Sequence, residues 1–291
     1  MRIDAERRVA LVTGASSGIG KSTAIKLVAR GWQVIGTGRD PQRSAAAEAE
    51  IAATAARADG FTMVRADFTL MAQVKRVAEE VASRTGRLDV LVNNAGGVRD
   101  RQYITAEGTE ATFAANHLAP FLLTRELMPL LKASAAAEPP CTTRVIAVSS
   151  TAHRMIDALD FDDLQSLGAF QPALAYGRAK LANILFTREL ARRAAPEGIV
   201  AQVMHPGRVA SNFASHGDEG MRKYMASADT VPSDEPAETL TWLATEPEGG
   251  HPGGRYFYQK AEETPGAAAL DDVAAARLWA ESETLLAKLG F

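Results

Sequence analysis

Two residues of the sequence, Tyr176 and Lys180, are of types that can handle a proton at an alcohol or a carbonyl. They stand four positions apart in the stretch Pro172–Ala194, which the pattern predicts as a helix with proline in its first turn. Both side chains then lie on one helix face. An ammonium held beside a phenol stabilises the phenolate and lowers the tyrosine pKa from about 10 towards neutrality, so Tyr176 could act as a general acid or base. The same spacing also arises by chance on helix surfaces, and the pair needs support from other motifs.

A glycine-rich turn follows the first predicted strand and leads into a predicted helix. Gly14, Gly18 and Gly20 recur there with the spacing Gly-x-x-x-Gly-x-Gly. Glycines let the backbone turn tightly and approach a pyrophosphate at a helix N-terminus. A purely structural turn needs the same residues, but the position between a strand and a helix favours a dinucleotide site. The residues predicted to bind the cofactor here are Gly14, Ser16, Ser17, Gly18, Ile19 and Gly20.

The end of the second predicted strand indicates which dinucleotide is bound. In a Rossmann unit this point meets the adenosine ribose, where an acidic residue selects NAD and an arginine accommodates the 2′-phosphate of NADP. Here Gly38 is followed by Arg39, whose guanidinium offers a planar fork of donors, and the Ser16 hydroxyl is a second donor nearby. The sequence therefore favours NADP(H). In the alternative that stays open, Arg39 is a solvated loop residue and Asp40 contacts the ribose.

Short β-branched apolar runs alternate along the chain with longer, alanine-rich amphipathic stretches. This alternation is typical of βαβ units, in which helices cover both faces of a parallel sheet. We predict an α/β protein, a single-domain doubly wound Rossmann fold over residues 1–291 with a mainly parallel seven-stranded sheet. The predicted strands are Val9–Thr13, Gln33–Thr37, Phe61–Ala66, Val90–Val92, Arg144–Ser149, Ile199–Met204 and Arg255–Phe257. The predicted helices are Gly18–Arg30, Pro41–Arg57, Leu70–Thr85, Glu110–Lys132, Pro172–Ala194 and Glu235–Ala244.

A polar stretch, Ala214–Pro236, interrupts this alternation after the sixth predicted strand. A long polar segment in this place is explained by a lid over a ligand site or, about equally well, by a plain surface loop. We predict a substrate lid over 207–236. Two other interruptions, Ala133–Thr143 and Glu246–Gly254, are predicted as loops.

Composition and charge exclude several classes of protein. The formal net charge is −3 with charges of both signs, so no basic field exists to hold nucleic acid or an acidic membrane surface. No apolar run approaches the roughly 20 residues of a membrane helix, and no signal peptide is readable, so we expect a cytoplasmic protein. The single cysteine, Cys141, has no base beside it and is interpreted as incidental. The five histidines lack the paired spacing of a metal site, and no metal is predicted.

The motifs stand in an order that resembles the short-chain dehydrogenase/reductase superfamily. Further segments resemble its retinol dehydrogenase and WW-domain oxidoreductase branch, whose catalytic domain would cover essentially the whole chain. The superfamily motifs are Gly14-x-x-x-Gly18-x-Gly20, Asn93-Asn94-Ala95-Gly96, Asn116, Ser149-Ser150, Tyr176-x-x-x-Lys180 and Pro206-Gly207. The segments shared with the branch are Asn116-His117-Leu118, Phe121–Thr124, Lys180–Phe186, His205-Pro206-Gly207 and Arg277-Leu278-Trp279.

The resemblance implies a role for each catalytic side chain. Tyr176 would donate or accept the substrate proton, and Lys180 would bind the nicotinamide ribose and tune Tyr176. Ser150 would hydrogen-bond the reacting carbonyl, because the second serine of this motif normally faces the substrate. Ser149 is the alternative.

The resemblance also implies the remaining cofactor contacts. Asn94, with Ala95 and Gly96, would lie on the adenosine side, and the turn Pro206-Gly207 would lie at the nicotinamide. Ser211 stands where the family usually has threonine, which keeps the hydroxyl but loses the methyl group. The other implied contacts are Asp67 and Phe68 with the adenine, and Val209 and Ser211 with the nicotinamide amide.

A role for Asn116 is also suggested by the backbone. Pro120 stands four residues later in a predicted helix and has no N–H to donate to the Asn116 carbonyl. That carbonyl is left free to hold a water that links Lys180 to solvent. In the alternative, the proline only kinks the helix for packing.

Together these features predict reversible hydride transfer between NADP(H) and a carbonyl or secondary alcohol, with reduction of a bulky hydrophobic ketone or aldehyde favoured. The alternatives are a dehydratase or epimerase on the same fold, and a cofactor-binding regulatory protein. A homodimer or homotetramer is expected, because family members commonly pair through the helices that here contain Asn116 and Tyr176. Apolar side chains available to the substrate are Met155, Ile156, Leu159, Phe161, Phe213, Met221, Tyr224 and Met225.

Overall fold

The computed structural model describes residues 7–139, 141–210 and 212–291. In these residues one sheet forms the centre of the protein. Its strands are β1 (Val9–Val12), β2 (Gln33–Gly38), β3 (Phe61–Arg65), β4 (Val90–Asn93), β5 (Thr143–Val148), β6 (Ile199–Met204), β7 (Tyr256–Tyr258) and β8 (Ala261–Glu263). The strand order is β3-β2-β1-β4-β5-β6-β7-β8. All neighbours pair in parallel except β7 and β8. The predicted doubly wound fold is therefore confirmed.

The prediction of seven strands was one too few. The additional strand, β8, is a three-residue Ala-Glu-Glu segment that pairs antiparallel with β7 at the sheet edge. Its two-residue turn places Gln259 and Lys260 at φ values of +47° and +64°, a conformation that usually signals itself through Asn-Gly. With neither the turn residues nor an apolar alternation, the sequence gives no local sign of this strand.

Helices cover both faces of the sheet. They are α1 (Gly18–Ala29), α2 (Pro41–Thr54), α3 (Met71–Arg84), α4 (Ala111–Phe113), α5 (Ala119–Ala137), α6 (Pro172–Ala194), α7 (Glu219–Ser227), α8 (Asp234–Thr245) and α9 (Asp272–Lys288). Helices α1, α2 and α8 pack on one face, and α3, α5 and α6 pack on the other. The strands β1, β5 and β6 are buried along their whole length, as expected for parallel strands between two helical layers.

The predicted helix Glu110–Lys132 is divided by a π-helical turn. Residues Ala114–Leu118 form this turn, and the Ala119 N–H donates to the carbonyl of Ala114, five residues earlier. Pro120 follows directly and cannot donate to the Asn116 carbonyl, so regular α-helical bonding is interrupted here. Helix α5 then continues to Ala137, through part of a segment predicted as loop.

Helix α9 lies across the outer side of α5 and α6. The Trp279 ring packs against both Phe121 and Phe186, at centroid distances of 4.9 and 5.8 Å, and these two rings also contact each other. A salt bridge of 2.8 Å joins Arg125 to Glu283. Helix α9 thus covers part of the surface through which two copies are expected to pair. The oligomeric state stays a prediction.

None of the helices in residues 7–139, 141–210 and 212–291 is long and apolar enough to cross a membrane.

Candidate active site

A cleft of about 750 Å³ opens at the carboxyl ends of the parallel strands. The chain winds in opposite directions on the two sides of β1 and β4, because β2 and β3 follow one side and β5 and β6 the other. A crevice at such a switch point is where doubly wound sheets bind ligands. Most of the residues predicted to form the site line this cleft, and its two ends differ in chemistry.

The glycine-rich turn forms the floor of one end. Gly14 has φ +70°, a conformation that favours glycine. A Cβ on Gly20 would overlap the Gly14 carbonyl and lie 2.6 Å from Asn94 Nδ2, so only glycine fits beneath the turn. The Asn94 side chain donates to the Thr13 carbonyl over 2.8 Å and ties the end of β4 to this turn.

The start of helix α1 fits a phosphate group. Its N-cap residue, Ser17, makes no capping hydrogen bond through its side chain, and the first turn contains no acidic residue. The first backbone N–H groups of a helix lack partners inside the helix and carry partial positive charge. Ser16, Ser17, Gly18 and Ile19 line the cleft around this helix start.

Three residues at the end of β2, Gly38, Arg39 and Asp40, bear on the two ribose arrangements considered from the sequence. A Cβ on Gly38 would overlap Ser44 Oγ and lie 2.8 Å from Ser16 Cβ, so an acidic side chain does not fit at this position without a shift. The Asp40 carboxylate instead caps α2 by accepting from the Arg43 N–H over 2.8 Å, and this bond lowers the pKa of Asp40. Within the described residues Arg39 makes no salt bridge to a carboxylate, and it lines the cleft.

Asp67 and Phe68 follow β3 on the same side of the cleft, which they also line. Asp67 Oδ1 accepts from both the N–H and the hydroxyl of Thr69, at 2.9 and 2.8 Å. Its carboxylate is thus held in place by the chain that follows it.

The other end of the cleft contains the candidate proton-transfer groups. The Ser150 hydroxyl lies close enough to that of Tyr176 to lower its pKa, and it accepts from the Ala152 N–H over 3.2 Å. Lys180 Nζ lies 5.5 Å from the centre of the Tyr176 ring and donates to the Val148 carbonyl over 2.9 Å. The Ser149 hydroxyl donates to the Lys180 carbonyl over 2.8 Å and is buried. Ser149 therefore fixes α6 against β5, and the Ser150 hydroxyl faces Tyr176.

Burial dominates the protonation of this pair. Burial raises the pKa of Tyr176, and the nearby Ser150 hydroxyl only partly opposes this. It lowers the pKa of Lys180 to about 7. We expected the ammonium to lower the tyrosine pKa towards neutrality, but in the protein alone the desolvation of both groups favours a neutral phenol.

Asn116 lies behind the wall of the cleft and is 1% exposed. Its Nδ2 donates to the carbonyls of Gly97 and Thr112 at 2.8 and 2.7 Å, and its Oδ1 accepts from the Gly97 N–H at 3.1 Å. A Cβ on Gly96 would overlap Asn116 Oδ1 and lie 3.5 Å from Lys180 Nζ. Asn116 thus holds the loop after β4 against Lys180.

Segment 207–236 covers the cleft beyond the turn at Pro206 and Gly207. The N–H of Ala210 donates to the Val231 carbonyl over 2.9 Å, which brings the two ends of the segment together. The Phe213 ring lies 5.1 Å from that of Tyr176. The predicted contact Val209 is 6% exposed and lines the cleft, whereas Ser211 lies outside the described residues.

The apolar side chains suggested for the substrate divide into two groups. Ile156 is buried in a core cluster, with Leu159 and Phe161 packed against it. The cleft is lined by the others, Met155, Phe213, Met221, Tyr224 and Met225.

Sequence reasoning missed Arg99, which lines the cleft. Burial lowers its pKa, and the nearby charge of Arg39 lowers it further. No motif marks this residue, because only the fold brings the loop after β4 close to the end of β2. Within the described residues, no group of three or more potential metal ligands is present.

The comparison with known proteins agrees with this geometry. Residues 8–161, more than half of the chain, match the family model described as short chain dehydrogenase. This chain belongs to the short-chain dehydrogenase family. It is 35% identical to human retinol dehydrogenase 14 over 97% of this chain and 87% of that protein, which places this short-chain dehydrogenase in the retinol dehydrogenase branch.

Solved structures show the same fold. An uncharacterised protein from Mycobacterium paratuberculosis superposes with a TM-score of 0.74 at 30% identity, over 98% of this chain and 95% of that one. The Pseudomonas aeruginosa RhlG/NADP active-site complex gives 0.69 at 28% identity, over 90% and 96%. As a short-chain dehydrogenase, the protein is an oxidoreductase that transfers a hydride between a nicotinamide cofactor and an alcohol or carbonyl.

Proposed function

We propose that the protein uses NADPH to reduce an apolar ketone or aldehyde, and that Tyr176 supplies the proton. The proposal rests on the neighbouring hydroxyls of Tyr176 and Ser150, which line the cleft at the end opposite the glycine-rich turn. Two hydroxyls side by side can both donate to one carbonyl oxygen, which polarises it for reduction.

NADP(H) is proposed over NAD(H) because of the residues at the end of β2. Gly38 leaves no room for a carboxylate that would repel a 2′-phosphate. Asp40 is engaged as a helix cap, and Arg39 is available. The RhlG structure named above contains NADP, which supports the same choice.

The remaining cofactor contacts are proposed along the cleft. The N-terminal turn of α1 and the glycine-rich turn receive the pyrophosphate, because the helix start is uncapped and the turn excludes side chains. Asp67 and Phe68 border the adenine, Asn94, Ala95 and Gly96 line the middle of the cleft, and Pro206, Gly207 and Val209 line the nicotinamide end. Ser211 keeps its predicted contact with the nicotinamide amide.

The chain's own residues handle the proton. When bound, the nicotinamide supplies the hydride in the reduction direction. The raised pKa of Tyr176 keeps the phenol protonated, so it can donate to the carbonyl oxygen as negative charge develops there. Ser150 holds that oxygen, and Lys180, next to the ring, stabilises the phenolate that remains.

Reprotonation of Tyr176 is proposed to pass through Lys180 and a water held by the Asn116 carbonyl. The π-helical turn and Pro120 leave this carbonyl without the usual α-helical donor. Replacing Pro120 with Ala should restore the helical bond, lower turnover and change its solvent isotope effect. Unchanged values for both would show that the proline only shapes the helix.

Segment 207–236 is proposed as the substrate lid, and its apolar side chains favour a bulky hydrophobic substrate. Met155 and Tyr224 are 51% and 53% exposed while lining the cleft, so apolar surface is open to a ligand there. A relative that carries the name retinol dehydrogenase is consistent with a large apolar substrate.

The decisive experiment measures NADPH and NADH oxidation with a panel of aromatic, alicyclic and long-chain aldehydes and ketones, for wild type and Tyr176→Phe. We expect turnover with NADPH, and a loss of about 10²- to 10⁴-fold in kcat for the variant, the usual contribution of a general acid. NADPH binding by the variant, followed by cofactor fluorescence, should stay within twofold. Tight NADPH binding without turnover of any carbonyl would instead indicate a regulatory protein, and substrate conversion without net NADPH oxidation would indicate a dehydratase or epimerase.

Two further properties stay predictions. Cell fractionation tests the cytoplasmic location. Light scattering coupled to gel filtration tests the predicted homodimer or homotetramer, for which the face under α9 is already occupied within one chain.

A further inference from the structure

Two buried histidines, His153 and His205, connect the active site to the chain segment 256–266. They are 1% and 4% exposed, and neither takes part in the proton chemistry above. His153 contacts the Ser150 loop and His205 contacts the turn at Gly207. The two histidines therefore reach the proposed carbonyl-binding side and the proposed nicotinamide side of the site.

His205 supports the turn at Gly207. Its Nδ1 accepts from the Gly207 N–H over 3.3 Å, and its Nε2 lies 3.2 Å from Glu263 Oε2. The imidazole stacks on Tyr258 with ring centroids 4.4 Å apart and planes 10° apart, and it also stacks on Tyr256 at a centroid distance of 5.3 Å. Tyr258 also contacts the turn directly, since a Cβ on Gly207 would lie 3.2 Å from its ring. The Gly207 turn is therefore supported by His205 and Tyr258, whose stacked rings fix each other's orientation.

His153 supports the Ser150 loop in a similar way. Its Nδ1 lies 2.6 Å from the Ser150 carbonyl oxygen, and its Nε2 accepts from the Gly266 N–H over 2.9 Å. The edge of its ring meets Tyr256 at 5.3 Å, the same tyrosine that stacks on His205. The segment 256–266 thus contacts both loops, through a row of four rings formed by His153, Tyr256, His205 and Tyr258.

The hydrogen bonds fix the tautomer of each ring. A backbone N–H can only donate, so Nε2 of His153 and Nδ1 of His205 must both be unprotonated. The single proton of His153 is then on Nδ1, donated to the Ser150 carbonyl, and that of His205 is on Nε2, donated to Glu263. A second proton on either ring would face an N–H group and break that contact.

We propose that His153 and His205 are positioning residues that hold the Ser150 loop and the Gly207 turn in catalytic geometry, and that both work only as neutral imidazoles. This inference rests on the proposed function, in which Ser150 binds the carbonyl and Gly207 lies at the nicotinamide. It predicts different kinetic effects for the two histidines, because they support different parts of the site.

The charges around the rings set the direction of the pH dependence. Burial lowers the pKa of both histidines from the usual value near 6.5. The Ser150 carbonyl raises that of His153 and Glu263 raises that of His205, while Arg154 lowers both and His205 lowers that of His153. Burial raises the pKa of the facing Tyr256, which is an uncharged phenol. Both rings are therefore neutral above pH 6.5, and the positioning is lost only as the pH falls below that value towards the lowered pKa values.

Variants of His205 test the support of the turn. In His205→Asn the amide oxygen can take the place of Nδ1 as acceptor from the Gly207 N–H, but it does not titrate; His205→Leu removes the acceptor. We expect His205→Leu to raise the KM for NADPH about tenfold at pH 7.5, the effect of one buried hydrogen bond, with kcat within twofold. His205→Asn should keep a KM near that of wild type and lose part of the acid limb of the pH profile.

The corresponding variants of His153 test the support of Ser150. His153→Leu should lower kcat about tenfold with the KM for NADPH within twofold, because the carbonyl-binding serine is displaced and the cofactor contacts are kept. In His153→Asn the amide NH₂ can still donate to the Ser150 carbonyl, and kcat should recover most of this loss.

The exposed His251 provides a matched control, and His251→Leu should change neither kinetic constant. The proposal is wrong if both leucine variants lower kcat and raise KM together in proportion to a fall in Tm, or if both asparagine variants keep the full acid limb. If wild type turns over no carbonyl, the proposed function fails. The NADPH dissociation constant of His205→Leu, measured by fluorescence, then still decides whether His205 positions the turn.

Discussion

The two ends of the cleft are built in opposite ways. At the cofactor end, the binding groups stand directly after β1, β2 and β4 in the middle of the sheet, where backbone and side chains leave no spare room. At the substrate end, segment 207–236 lies over the cleft, and its helix α7 buries none of its side chains. The cofactor end is thus held by the core of the protein, whereas the far end is covered by a segment whose helix is not buried.

This difference decides which residue types each end tolerates. A parallel sheet fixes the distance between neighbouring strand ends, so a position such as Gly20 has one sterically possible residue. On α7, a Cβ added to Gly220 would have its nearest neighbour, Asp218 Oδ1, at 3.5 Å, which is an ordinary van der Waals contact. The steric limits of the cofactor end therefore show in the sequence as glycines, whereas α7 carries no such steric mark.

The largest effect should come from Gly20→Ala, compared with Gly220→Ala. The new methyl group at position 20 would press on the Gly14 carbonyl and on Asn94, both fixed by the sheet. We expect a destabilisation of about 1–3 kcal/mol and loss of measurable NADPH binding, because the glycine-rich turn is displaced. Thermal unfolding and cofactor fluorescence measure these.

In Gly220→Ala, both quantities should stay at their wild-type values, or stability should rise slightly because alanine favours helix. Equal effects of the two substitutions would contradict the distinction between a rigid and a loosely held end.

A smaller effect is expected when a positive charge is removed from each end. Arg39→Ala should raise the KM for NADPH about 10- to 100-fold and leave that for NADH unchanged, because a charge-assisted bond to the 2′-phosphate is lost. Steady-state kinetics with both cofactors checks this.

The control is Lys223→Ala on α7. The Lys223 Nζ atom lies 2.7 Å from Glu219 Oε1, and both side chains are exposed to solvent. An exposed pair of this kind contributes little, so neither KM should change. An equal rise of both KM values in Arg39→Ala would show that the arginine does not recognise the 2′-phosphate.

The smallest effect is expected at the lid. Tyr224 is 53% exposed, and its ring lies 5.7 Å from the guanidinium of Arg208. Tyr224→Ala should raise the KM for a bulky apolar carbonyl about fivefold or less through lost contact area, and leave Tm and the KM for NADPH unchanged. A fall in Tm of several degrees would show that the lid supports the fold and is not merely a cover.

Much of the fold could be predicted because its signals are local. The buried runs of β1, β5 and β6 and the intervening amphipathic stretches are visible in short windows of sequence. The strand β8, the helix α7 within a polar segment and the helix α9 were not predicted, because their apolar faces are short or weak and their positions depend on distant partners. The π-helical turn at Ala114–Leu118 was predicted only as a kink at Pro120.

The sequence by itself determined those features of the site that depend on local spacing. Helical periodicity brings Tyr176 and Lys180 together, and glycine is the residue that fits at position 20. At the end of β2 the sequence has Gly38 and Arg39 in place of an acidic residue. Only the tertiary structure decided the orientation of Ser149 towards α6 and of Ser150 towards Tyr176, and the support of both loops by His153 and His205. These contacts join residues up to more than 100 positions apart, such as His153 and Gly266, and no local pattern of residues records which distant groups will meet.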